Sequence, residues 1–211
     1  MDRLLLVDSD IFILLSAAGL LERVAELLGF SVDDIRRLHA LPHMLQHSKS
    51  MRRNFSEAVR ERAIVVANRV VGIYERPPEG ELPQRLLSID YIDDGEALLI
   101  AHLVERPTCL LASGDLRAMR ALASAEGFQD VRDAIRGRVI CLEAVVRMLV
   151  EADGVAATAT AFQVVLPHSR HLQIFFSEAN VANQEQCLDA VRSFYTELRD
   201  VHRCDFLFWP E

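Results

Sequence analysis

Leu4-Leu5-Leu6-Val7, followed at once by Asp8-Ser9-Asp10, is the stretch whose reading decides the fold. Four apolar residues without alternation read as a strand buried on both faces, the habit of a central parallel strand covered by helices. The run stops at a carboxylate, and a helical pattern, Ile11 to Ser16, begins directly after it and ends near Gly19. In open α/β sheets, ligands bind outside the carboxyl ends of the strands. Asp8 therefore stands where such folds do their chemistry. Ser9 or Asp10 also suits the cap of the next helix, whereas Asp8 comes early for that role and asks for another explanation.

The same pattern returns a hundred residues later. Thr108 to Ala112 is a second apolar strand that runs into Ser113-Gly114-Asp115, and Leu116 to Ser124 then reads as a helix. Gly114 suits the tight turn, and Asp115 is either an N-cap or a second strand-end acid. Between the two units lies Ile92-Asp93-Asp94-Gly95-Glu96-Ala97. Asp94 is the natural cap of the helix beginning there, and Glu96 in the first turn suits the helix dipole. Yet Glu96 heads a stripe completed by Leu99, Ile100 and Leu103, which must face the core. A carboxylate on an inward face is costly unless something pairs with it, so Glu96 points to a pocket.

Around these motifs the chain reads as helices and short strands. Leu20 to Leu28 is an amphipathic helix stopped by Gly29. Ser31 to Leu38 opens like a capping box, with Asp34 three residues on. Pro42 to Tyr74 is helical by composition, with Phe55 as a core anchor. Glu75 to Pro83 is a Pro- and Gly-rich loop, and Gly127 to Gly137 a charged connection. Arg138 to Leu142 is a third strand, followed by a helix over Ala144 to Glu151. Residues 1–154 form the alternating unit and 155–211 a C-terminal extension. In the extension, Gln184 to Val201 is a helix with Leu188, Val191, Tyr195 and Leu198 on one face, and Ile174-Phe175-Phe176 fits either strand or helix. Phe206, Phe208 and Trp209 make an aromatic tail that either packs or meets a partner.

Composition narrows the function classes. Of 211 residues, 51% are hydrophobic, which suits a globular chain, and the formal net charge is −8. That charge excludes a general electrostatic coat for nucleic acid but not a local basic groove. Lys49, Arg52, Arg53, Arg60 and Arg62 form a basic stretch that reads as a solvated helix face or a phosphate contact. Arg117 and Arg120 lie one turn apart and read first as surface residues, with a phosphate contact as the alternative. His39, His43 and His47 recur every four residues, a spacing that suits metal binding, but Pro42 interrupts the pattern. Cys109, Cys141, Cys187 and Cys204 show no paired spacing and read as buried apolar residues. No stretch is long enough to span a membrane, the start does not resemble a secretory signal, and a cytoplasmic protein is expected.

Taken in order, VDSD, DDGEALLIA, LLASGDLRAMRALA and GRVICLEAVVRML resemble the signatures of the PIN-domain nucleases, across about the first 150 residues. The resemblance implies an α/β fold of three layers, α/β/α, around a mostly parallel sheet, with the C-terminal extension outside it. It implies that Asp8, Glu96 and Asp115 are the catalytic, metal-holding acids for Mg²⁺ or Mn²⁺. Asp10 and Asp93 match positions of further polar residues, and the family's second acid has no clear counterpart, with Glu57 and Glu61 as candidates. Ser9, Ser113 and Arg117 are expected to steady the substrate phosphate. The implied activity is endoribonucleolytic cleavage of single-stranded RNA. Many relatives are toxins neutralised by an antitoxin, and many dimerise, so an antitoxin-like partner and a homodimer are expected too.

The residues suit that chemistry independently. Clustered carboxylates raise one another's pKa, and a hard cation with oxygen ligands relieves the conflict. Two rivals stand beside it. Asp8 and Asp10 also resemble the D-x-D of haloacid-dehalogenase phosphatases, with Asp8 as nucleophile, a reading that needs a lysine for which Lys49 is the one candidate. The other is a PIN-like binding or assembly module that does no catalysis.

Overall fold

The computed structural model describes residues 3–73 and 81–210. Its centre is a five-stranded sheet in which every pairing is parallel, in the order β3-β2-β1-β4-β5. The strands are β1 (Leu5–Val7), β2 (Ile35–Leu38), β3 (Val71–Ile73), β4 (Leu110–Ala112) and β5 (Val139–Ile140). Helices cover both faces, so the expected three-layer α/β/α class holds. Leu5, Leu6 and Val7 are all buried, as an unalternating apolar run in a covered sheet must be. Burying each such side chain contributes roughly 1.5–3 kcal/mol.

The order of the strands fixes where a site can form. From β1 the chain proceeds to β2 and β3 on one side, then returns to place β4 and β5 on the other. The reversal leaves a crevice between the carboxyl ends of β1 and β4, the topological switch point where such sheets bind ligands. The two strands run in register, Val7 opposite Ala112, and the Asp8 N–H donates to the Ala112 carbonyl at 2.9 Å.

The first half contains α1 (Ser9–Ala18), α2 (Leu21–Leu27), α3 (Leu41–His47), α4 (Lys49–Asn54), α5 (Glu57–Ala67), α6 (Glu81–Leu87) and α7 (Asp94–Glu105). Gly19 and Gly29 take left-handed φ values of 72° and 76° where α1 and α2 end, which is why both stop there. The second half contains α8 (Leu116–Ser124), α9 (Gln129–Ile135), α10 (Leu142–Asp153), α11 (Val155–Phe162), α12 (Arg170–Phe175), α13 (Glu178–Val181) and α14 (Gln184–Thr196).

Several expectations need correction. The capping box at Ser31 and Asp34 is present but opens only a single 3₁₀ turn, Val32–Asp34, before the chain enters β2. Two arginines disguise that strand. Arg37 is buried, and its guanidinium donates to the carbonyls of Ala67 and Leu38 at 2.7 and 2.8 Å. The presumed helix over Pro42 to Tyr74 is three helices followed by the edge strand β3. The presumed charged connection contains α9, and the end of the presumed Pro-rich loop, Glu81 to Pro83, begins α6. The rest of that loop, 75–80, lies outside the described residues. The Ile174-Phe175 ambiguity resolves as helix α12, and Phe55 is buried as an anchor.

The C-terminal segment packs onto the same core. Phe162, Phe175 and Phe206 are fully buried within it, and Leu207 bridges Val139 at the edge of β5. Trp209 stacks on Tyr195 at 3.9 Å with the Arg147 guanidinium 4.8 Å from its ring. The aromatic tail is thus packed. All four cysteines are buried, as expected. Among the described residues no helix is long and apolar enough to cross a membrane. Tyr91 has φ 70°, a left-handed conformation costing a bulky side chain on the order of 1–3 kcal/mol.

Candidate active site at the switch point

A cavity of about 1010 Å³ opens at the carboxyl end of the sheet, and six carboxylates line it: Asp8, Asp10, Asp93, Asp94, Glu96 and Asp115. Among the described residues, the one arginine or lysine on its wall is Arg117. The three acids expected to converge do line one cavity, and Asp10 and Asp93 join them. Asp94, read from sequence only as a cap, is a further acid on the wall. Glu57, exposed on the first turn of α5, and Glu61 are not among the lining residues.

Three of the helices that begin at this cavity do so at an aspartate. Asp8 precedes α1, Asp93 precedes α7 and Asp115 precedes α8. Asp8 is thus at a cap position after all, because α1 starts at Ser9. Its bonding is not that of a cap, however. Oδ1 accepts only from the adjacent Ser9 N–H, at 2.6 Å, rather than from the second or third turn residue as caps do. Asp115 caps fully, with Oδ1 accepting from the Arg117 and Ala118 N–H groups at 2.8 and 3.0 Å. At α7 the cap is Asp93, not Asp94. Asp93 Oδ1 accepts from Gly95 and Glu96 N–H, and Glu96 Oε2 accepts in return from the Asp93 N–H at 2.9 Å. That reciprocal box is why glycine follows Asp94: a Cβ on Gly95 would lie 2.8 Å from Leu38 Cδ1 and 3.1 Å from Asp93 Oδ1. Gly114 carries no such need, since its φ is not left-handed and a Cβ there would meet nothing nearer than 3.7 Å.

Electrostatics separates these acids. Asp8 is buried, and a small apolar void of about 30 Å³ lies behind Asp8, Glu96 and Ser113. Burial pushes the Asp8 carboxyl up to about 7, and the nearby charges of Asp10, Asp115 and Asp93 push the same way. Asp10, at the exposed rim, is also raised, first by desolvation and then by Asp115. Glu96 is pushed well up by burial and by its hydrogen bond to Asp93. Asp93, despite its own desolvation, is held low by hydrogen bonds from Glu96 and Gly95. Burial thus opposes ionising both members of the pair at once, and their titration belongs to the pair rather than to either residue.

The expected phosphate contacts fall into different environments. Ser113 is buried, and its hydroxyl donates to Asp8 Oδ2 at 3.4 Å while accepting from the Asp115 N–H at 3.3 Å. It ties the two strand-end acids together. The Ser9 hydroxyl is buried without a hydrogen-bond partner. Arg117 is largely exposed, with one guanidinium nitrogen 3.6 Å from Asp115 Oδ2.

The basic side chains of the stretch from Lys49 to Arg62 do not line the cavity. Ser48, Ser50, Met51 and Asn54 form that wall, while Arg52, Arg60 and Arg62 donate to the carbonyls of Gln46, Leu45 and Ala17. Lys49 is exposed and also off the wall. Of the histidines, His43 and His47 lie together on α3 at 4.6 Å between rings, whereas His39 follows β2.

Among the described residues, no three acid, histidine or cysteine side chains stand close enough together to clasp one metal ion. The donor chemistry nonetheless fits a hard divalent cation. The site offers carboxylate and hydroxyl oxygens, the preferred ligands of Mg²⁺ and Mn²⁺. It also crowds like charges that only protons or a cation can relieve. No family model, no curated protein and no solved structure matches the chain.

Proposed function

We propose that the protein is a metal-dependent phosphodiesterase, an endoribonuclease acting on single-stranded RNA in the manner the PIN-domain resemblance implies. One observation carries the reading: acids from three separate chain segments line one cavity at the switch point of a parallel sheet, two of them with carboxyls driven up by burial and by neighbouring carboxylates. A polyanion cannot approach six carboxylates and one arginine unless their charge is neutralised.

Asp8, Glu96 and Asp115 are the residues that would hold Mg²⁺ or Mn²⁺. The chemistry a bound ion supplies is charge neutralisation at the phosphodiester and activation of water for in-line attack. The chain's own groups do the rest. Glu96, pushed up by burial, would have to be ionised to hold the ion, its proton passing to solvent. Ser113 keeps Asp8 aligned with the start of α8. The apolar wall behind Asp8 and Glu96 keeps bulk water from the buried side. Arg117, free to swing from Asp115, orients the substrate phosphate. A dimer and an antitoxin-like partner belong to the same proposal by resemblance alone.

Titration calorimetry with Mn²⁺, paired with a single-stranded RNA cleavage assay, tests it. Binding that requires both Asp8 and Glu96, and cleavage abolished in Asp8→Asn, are expected. Absence of Mn²⁺ binding would leave instead the non-catalytic binding module, which the capping duties of Asp93, Glu96 and Asp115 favour. The phosphatase alternative has less behind it, because Lys49 stands away from Asp8's cavity.

A further inference from the structure

A second cavity, of about 680 Å³, adjoins the first along α8. Arg117 lines both. The turn over 88–91 forms part of its wall and leads directly into the Asp93–Glu96 box, so one short segment serves both spaces. Tyr91 on that turn is 71% exposed. It is also held at φ 70°, a conformation an exposed aromatic has no packing reason to accept. Backbone strain of that kind is retained at ligand sites. Across from it, Arg117, Arg120 and Ser124 follow one face of α8, and the Arg120 Nε is buried with no hydrogen-bond partner. Asp90 and Glu126 line this cavity too. Along α8 the cations come first, beside the acid cavity, and Glu126 comes past the far end.

We propose that this second cavity is a subsite for single-stranded RNA: Tyr91 stacks on the base of the nucleotide next to the scissile phosphate, and Arg120 contacts the phosphate beyond. The proposal rests on the nuclease reading for its direction, since it is the route by which a strand leaves the acid cavity. An aromatic platform beside arginines is the usual means of holding unpaired nucleotides. A duplex, whose bases are stacked internally, cannot use it.

The test is equilibrium binding of a fluorescently labelled single-stranded oligoribonucleotide, by anisotropy, with Asp8 intact and with Ca²⁺, another hard oxygen-binding ion, in place of Mg²⁺, the probe being shown uncleaved by gel at the end of the measurement. Tyr91→Ala is expected to weaken binding about tenfold, and Tyr91→Phe to leave it within about twofold. Arg120→Gln should weaken it severalfold and lower the salt dependence by about one phosphate contact. Tyr91→Gly separates function from structure: it should lose binding like Tyr91→Ala, yet raise the thermal midpoint by about 2–4 °C as the strained φ is relieved. Tyr91→Ala binding RNA as tightly as its parent overturns the subsite, whether or not the wild-type chain cleaves RNA. Tyr91-dependent binding in a protein that never cleaves RNA with Mn²⁺ keeps the subsite and removes the nuclease.

Discussion

The chain builds the unit of apolar strand, acid and helix twice, and the two acids end in different states. Asp115 spends one carboxylate oxygen on two backbone N–H groups at the start of α8 and remains partly open to solvent. Asp8 occupies the matching place before α1 but accepts from only one helix N–H, that of its neighbour Ser9, and from the Ser113 hydroxyl; it lies buried and is pushed up to about 7. One carboxylate stabilises its helix; the other is a strained charge that its helix hardly uses. The difference teaches that a strand-end aspartate cannot be assigned from pattern alone: which groups it accepts from, and how deeply it is buried, decide whether it serves the fold or the ligand.

The largest effect expected from this contrast is on activity. Asp8→Asn should lower single-stranded RNA cleavage by more than about a hundredfold, the scale of losing a group that stabilises charge at a reacting centre. The same substitution should make the protein more stable above pH 7, because an uncompensated buried carboxylate disappears. Loss of activity together with gain in urea midpoint would sharpen the contrast. An Asp8→Asn protein that is less stable than wild type at pH 8 would break it.

Next in size is the pH dependence of stability without divalent ions. The unfolded chain releases the Asp8 proton near 3.8, and the folded protein holds it to about 7. Between those values the folded state binds more protons, so stability must fall as pH rises. The Glu96 carboxyl, also raised, carries the decline to more alkaline pH. Urea unfolding at pH 5 and pH 8 should differ by on the order of 2 kcal/mol, higher at pH 5. Saturating Mn²⁺ should flatten the profile by stabilising the alkaline side, since it binds the folded carboxylates. A profile that rises with pH in the absence of metal would mean Asp8 is ionised and paired.

How much of this was legible in the sequence follows from the same physics. Unalternating apolar runs announced β1 and β4, and the inward stripe from Glu96 announced its place in the cavity, because burial writes itself into composition. The strands β2 and β3 were hidden. Arg36 and Arg37 make Ile35–Leu38 read as polar, although Arg37 satisfies its charge on backbone carbonyls, and Gly72 dilutes an already short edge strand. Asp94's place on the cavity wall was not readable either, since it depends on Asp93 taking the cap. The basic stretch left open the choice between a solvated face and a phosphate contact, because sequence does not show that Arg52, Arg60 and Arg62 donate to carbonyls at helix ends. The left-handed Tyr91 leaves no sequence signal, because no glycine or asparagine marks the position.

The smallest effect lies at Asp115, where two substitutions divide cap from charge. Asp115→Ala removes the acceptor of two N–H groups and should cost about 1 kcal/mol of stability, read as a lower urea midpoint at unchanged slope. Asp115→Asn keeps an acceptor oxygen at the cap and should stay within about 0.5 kcal/mol of wild type. Both remove the charge, so both should weaken Mn²⁺ binding to a similar degree if Asp115 also serves the ion. Were Asp115→Asn to bind Mn²⁺ like wild type, the residue would be a cap alone. The ion would then rest on Asp8, Glu96 and the remaining wall acids, and the two strand-end acids would differ in kind rather than in degree.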